Sequence, residues 1–235
     1  MGSVSVEVSQ GYVRFAGCCY LLIIALGLFS ETQVRGSLVA AGDAATTAAQ
    51  IGASAQLWRS GIVADLCMQL LDIPIIVLFY LLFKRVNAAL NLTATGFNLI
   101  QTAMLVANKL TLLVPLLLAG SGVYLAAFSA EQRNALAYLA IKLHGYGFAI
   151  GLLFFALACV IRGYLIIKST YFPKLLGALL ALAGICYLLN SLALLLAPGI
   201  AAMLFPAIMV PVLVAELSIS LWMIIKGANR QGANG

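Results

Sequence analysis

Apolar residues fill the chain in long runs, separated by short polar breaks. A bilayer's hydrocarbon core, about 30 Å thick, takes roughly 20 apolar residues per helix. Runs at 12–34, 58–83, 86–118, 134–168, 173–197 and 207–225 are close to that length or longer. The pattern predicts an all-α polytopic transmembrane bundle of about six spans, a single domain over 12–227. A polar tail is expected at 1–11 and a disordered one at 228–235. The polar segment 35–57 is expected outside the bilayer, where Asp43 is placed to cap a short Ala-rich helix. Ser129 with Gln132 three residues on has the form of a capping box opening the fourth helix. A helix from Ala130 to Lys168 would be about 58 Å long at the α-helical rise. The segment 130–143 is therefore expected at the interface, with a bend at Gly145-Tyr146-Gly147. Pro74 predicts a kink, and Trp58 an aromatic anchor at the membrane surface.

Composition sharpens the class. Of 235 residues, 64% are hydrophobic and 9% charged, with a mean hydropathy of +1.10. A soluble domain is about a quarter charged. The net charge of +6 is scattered, and no basic block exceeds Lys84-Arg85, which excludes a nucleic-acid patch. The five cysteines lie in apolar runs without a CxxC pair and read as packing residues. The first run reads as a retained span, not a cleaved signal. With the N-terminus inside, Arg14, Lys84, Arg85, Arg162, Lys168, Lys174, Lys226 and Arg230 fall on the cytoplasmic side. Arg35, Arg59, Lys109, Arg133 and Lys142 fall on the other, so both termini are expected in the cytoplasm.

Polar residues inside the apolar runs are the candidate chemistry. Asp65 and Asp72 lie seven residues apart in "ADLCMQLLDIP", with Gln69 between them on the same helical face. A charge at the bilayer centre costs at least ~2.5 kcal/mol, so this face must meet an interior, a wet cavity or a cation. Asn91, Thr95, Asn98, Thr102 and Lys109 form a polar stripe on the next helix. Glu31 and Arg35 form an i,i+4 pair, and Lys142, His144, Asn190, Ser191, Glu216 and Ser220 add polar groups on the later helices. Depths counted along each helix put Glu31, Asp65, Lys109, His144 and Asn190 in the outer third and Asp72, Asn98 and Glu216 near the middle. An outward-opening polar pocket with a carboxylate floor is expected. Its candidate ligand-binding set is Glu31, Arg35, Asp65, Gln69, Asp72, Asn98, Lys109, His144, Asn190 and Glu216. The alternative is structural: Asp65 and Asp72 pair with Arg59, Lys109 or Lys142 and lock helices together. "AGCCYLL" (16–22) echoes "AGICYLL" (183–189), either as a repeat or as a shared small-residue helix contact.

No metal or cofactor is expected. One histidine with Glu31 and Asp65 is the most that could gather toward a zinc site, which argues against a metal hydrolase; one histidine excludes a bis-His haem, and no P-loop, dinucleotide fingerprint or G-x-S-x-G occurs. Glu31-x-x-x-Arg35 followed by "GDAATTA", then "DLCMQLLD" and "LHGYGFAIGLLFF", resemble a bacterial family of multi-pass membrane proteins catalogued only as a domain of unknown function. The resemblance runs from about Arg14 to Gly227. It implies a bacterial inner-membrane location and no particular activity. An ion-, small-ligand- or lipid-binding bundle that could transport its ligand is the leading expectation. An accessory subunit of a larger membrane complex is the first alternative, and an intramembrane enzyme using Glu31, Asp65 and His144 the second. Membrane lipid is the expected partner, with a small ligand or ion, a second copy or a partner subunit left open.

Overall fold

The computed structural model describes residues 8–229. Every element among them is helical: α1 (Gln10–Leu28), α2 (Gly36–Leu38), α3 (Ala44–Ala53), α4 (Ala55–Phe83), α5 (Ala88–Leu118), α6 (Ala130–Lys168), α7 (Lys174–Leu196), α8 (Pro198–Leu204) and α9 (Met209–Ile225). A π-helical stretch, Phe29–Arg35, joins α1 to α2. Five helices, counting Gln10–Leu38 as one, are long and apolar enough to cross a membrane. The pair α8 and α9, bent by 56°, makes a sixth candidate. Large apolar side chains such as Leu70, Leu92, Leu110, Leu175 and Val210 stand exposed. Water would penalise that surface and lipid covers it. The chain is an all-α, multi-pass membrane protein.

It divides into two compact units. The first takes Met1–Ile24, Leu71–Thr102 and Ala149–Gly235, and the second Ala25–Leu70 and Ala103–Phe148. In the first unit, Val13 and Tyr20 of α1, Phe79 and Phe83 of α4, Leu165 and Ile166 of α6, and Ile219 and Met223 of α9 share one core. Here α6 and α7 meet through glycines. A Cβ on Gly177 would lie 2.6 Å from the Gly163 carbonyl oxygen, and one on Gly184 would lie 2.7 Å from that of Ala156. Such close approach is how apolar helices gain packing energy where lipid removes the hydrophobic drive between them. Gly177→Leu is expected to force the two backbones apart and cost about 1–3 kcal/mol, read as a lower midpoint in detergent unfolding. Unchanged stability would show that the contact is slack.

The second unit has its own small core of Val34, Leu38, Ile51, Trp58, Ile62 and Leu112. Trp58, expected at the membrane surface, is buried there, and its Nε1 donates to the Leu112 carbonyl (2.8 Å). The external segment is held by local chemistry. Asp43 caps α3 by accepting from the Thr46 N–H (2.9 Å) and hydroxyl (2.7 Å), which hold its carboxyl below the ordinary aspartate range. The Gly42 N–H donates to the Tyr138 hydroxyl (2.7 Å) from a left-handed conformation (φ +80°) that suits glycine. The capping box at Ser129 forms in both directions. α6 runs unbroken through Gly145-Tyr146-Gly147. Gly147 leaves room for the Asn108 side chain against the helix. The tails expected at 1–11 and 228–235 lie largely outside the described residues. Within them, α1 already starts at Gln10, whose side chain binds the Ala228 backbone, and Asn229 donates to the Thr170 and Tyr171 carbonyls.

Candidate functional site

The predicted polar residues fall into two sets that differ in how their charges are satisfied. In the second unit the set is closed. Asp65, buried on α4, receives two cations on Oδ2: Lys109 Nζ at 3.0 Å from α5 and Arg35 Nη1 at 2.8 Å from the π-helical stretch. Arg35 Nε also binds Glu31 Oε2 (2.9 Å), whose side chain is 60% exposed. The π-helical stretch turns Glu31 and Arg35 so that one guanidinium serves both carboxylates. Two cations and two carboxylates balance, and Lys109 lies 5.7 Å over the Phe148 ring. The three ion pairs among the described residues all belong to this cluster.

His144 lies nearby in sequence to that cluster's Phe148 but has its own partner. Asn108 Nδ2 donates to the His144 carbonyl (2.9 Å) and faces its Nδ1 at 3.1 Å. A carbonyl only accepts, so this bond sets the amide's orientation. Nδ1 also lies 3.5 Å from the Asn108 carbonyl oxygen, so Asn108 meets the ring through both its side chain and its backbone. Glu31, Asp65 and His144, expected as an acid–base set, form no hydrogen bond with one another. Gln69 is buried in the same unit, with Oε1 lacking a partner.

In the first unit the set is open. Asn98, wholly buried on α5, donates through Nδ2 to Asp72 Oδ2 (2.9 Å) and to Gln101 Oε1 (2.8 Å). The Thr102 hydroxyl lies 2.9 Å from the same Asp72 oxygen. Asn98 Oδ1 accepts from Arg162 Nη1. A guanidinium only donates, so it orients the amide and turns the NH₂ toward the carboxylate. A neutral amide thus stands between a cation and an anion that form no direct ion pair. Arg162 is 3% exposed and stacks 5.2 Å over the Phe79 ring, while its Nε and Nη2 are buried without a partner. Glu216 on α9 accepts from the Tyr187 hydroxyl (2.9 Å), and Tyr20 comes close to the same carboxyl. No cation reaches it within ion-pair distance among the described residues. Asn190 on α7 is half-buried, and beside it Ser191 is fully buried with its hydroxyl unpartnered.

Asp65 and His144 thus belong to the second unit, and Asp72, Asn98, Asn190 and Glu216 to the first. Arg162, Tyr20 and Tyr187 are absent from the predicted set. Arg162 counts among the charges expected on the cytoplasmic side, and it is buried, with apolar residues on both sides of it in "LACVIRGYLII". The tyrosines had a signal in the echo of AGCCYLL with AGICYLL. Both copies place a glycine in close helix contact, Gly17 on α9 and Gly184 on α6, and each sends the tyrosine three residues later to Glu216.

No group of three or more His, Cys, Asp or Glu among the described residues is arranged to hold a metal ion. No curated protein and no solved structure matches the chain. A family model described as a domain of unknown function, DUF4386, matches residues 15–227, nearly the whole chain, and the protein belongs to that family.

Proposed function

We propose that the protein binds a small polar solute inside its membrane bundle, at Arg162 with Asp72, Asn98 and Glu216, as a step in moving that solute across a bacterial inner membrane. The topology proposed with it has both termini in the cytoplasm. The observation that carries the reading is the open guanidinium. A buried donor left unmade costs about 1–3 kcal/mol, and Arg162 leaves two buried nitrogens unmade in an apolar bundle. A purely structural arginine would be closed by a carboxylate, as Arg35 is. The two carboxylates outnumber the one cation, and neutral amide or hydroxyl groups satisfy them. The solute that fits presents acceptor oxygens to Arg162 and a donor or cationic group to a carboxylate, as a small zwitterion does. Glu31, Arg35, Asp65 and Lys109 then hold helices in register and leave the binding to the open set.

A thermal-shift panel on the purified protein tests this. Small carboxylates, amines and zwitterions of matched size are compared on the wild type and on Arg162→Gln. Zwitterions are expected to raise the wild-type midpoint more than either single-charge class, with no shift in Arg162→Gln. Equal shifts in both proteins would refute the assignment.

A further inference from the structure

A second site lies in the second unit and shares no residue with the proposed solute site. The N-terminal turn of α6, the end of α5 and one face of α3 enclose a cleft of about 290 Å³. Ala45, Ala48 and Ala49 sit at i, i+3 and i+4 on α3 and present only methyl groups. Pro115 and Leu118 form the opposite wall. Into this apolar cleft the α6 turn brings Arg133 and Asn134. Arg133 Nε is buried without a hydrogen-bond partner, and the guanidinium enters none of the ion pairs among the described residues. The neighbouring acids are engaged elsewhere: Glu131 with the Ser129 hydroxyl (2.7 Å) and Asp43 with Thr46. The cleft therefore joins a guanidinium outside any ion pair, at a helix N-terminus where the macrodipole favours an anion, to an apolar wall.

We propose that this cleft binds the anionic head of a membrane lipid, its phosphate on Arg133 and its first methylene groups along Ala45, Ala49 and Leu118. The position supports this source over a soluble anion. α3 is a short helix outside the candidate spans, and the cleft is lined by the ends of two helices that are candidate spans. The segment 130–143, which carries Arg133 and Asn134, is also the part of α6 expected at the interface, where lipid head groups lie. The volume is too small for two acyl chains and suits a head group with the start of a chain. Arginine is the side chain whose forked donors match a phosphate.

The test is lipid retention by the full chain, measured by native mass spectrometry from a neutral detergent. Dioleoylphosphatidylglycerol and dioleoylphosphatidylcholine have the same chains and differ in net charge. The wild type is expected to retain the anionic lipid about tenfold more strongly, the size of one charge-assisted hydrogen bond. Arg133→Gln removes the cation, and Ala48→Leu fills the cleft while leaving Arg133 in place. Each is expected to abolish the preference without lowering the melting midpoint. If only one variant folds, it still decides the matter. Equal retention of the two lipids by the wild type, or a preference that survives in a folded variant, would overturn the proposal. So would displacement of the lipid by millimolar inorganic phosphate, which would make the ligand a soluble anion. Since no residue is shared with the Arg162 site, this result and the solute panel stand or fall separately.

Discussion

Asp65→Asn is expected to destabilise the protein by ~3–5 kcal/mol, the cost of stranding a buried charge by removing one partner of an ion pair. The side chains of Asp65 and Lys109 are 3% and 5% exposed. The asparagine keeps the shape and loses the charge, so the buried Lys109 ammonium loses its carboxylate partner. Arg35 suffers less, because Glu31 still holds its Nε. Replacing Lys109 as well, by Met, removes the stranded charge and should recover most of the loss. Reversible unfolding in a mild detergent measures all three variants. A double variant as unstable as Asp65→Asn alone would show that the pair is not what stabilises this unit.

Arg162→Gln is expected to behave in the opposite way. It removes two donors that are already buried and unmade, and glutamine can still donate to Asn98 Oδ1. Asp72 loses a favourable charge but keeps its hydrogen bonds from Asn98 and Thr102. The net loss in stability should stay below about 1–2 kcal/mol, while solute binding falls by a hundredfold or more, roughly the ~3 kcal/mol or more of a lost charge-assisted pair. Stability given up for an open charge is the usual mark of a functional site. A variant that unfolds as readily as Asp65→Asn would place Arg162 among the structural residues.

The fold class was legible because it depends on one-dimensional quantities. Apolar runs of spanning length specify membrane helices, since only helices and closed barrels satisfy the backbone in lipid. Caps were also legible at Asp43 and Ser129, because their partners lie three residues away. Gly145 and Gly147 do not interrupt α6, for a related reason. Glycine's weakness as a helix former reflects exposure to water and backbone entropy, and it is common in membrane helices. Here it marks the place where Asn108 packs.

The site was legible as a set of residue types and not as a set of partners. Nothing in the spacing of Asp65 says whether Arg59, Lys109 or Lys142 will reach it, because that depends on how helices rotate and cross. Arg162 was hidden because the charge rule for loops and span ends assigns a side of the membrane and says nothing of burial. Its flanks, apolar on both sides for several residues, carried the contrary signal. The tyrosines on Glu216 were hidden differently. Phenols read as apolar in a membrane span, and only the seven-residue echo singled them out.

Direct binding tests the central claim, that the first unit's polar network is open for a solute. The measurement is equilibrium binding of a radiolabelled small zwitterion, chosen from the thermal-shift panel, to the purified wild type, Arg162→Gln and Glu216→Gln. Saturable binding is predicted for the wild type, with loss in Arg162→Gln and weakening in Glu216→Gln while both variants remain folded. Binding that is equal in all three proteins, or absent from the wild type for every member of the panel, would contradict it.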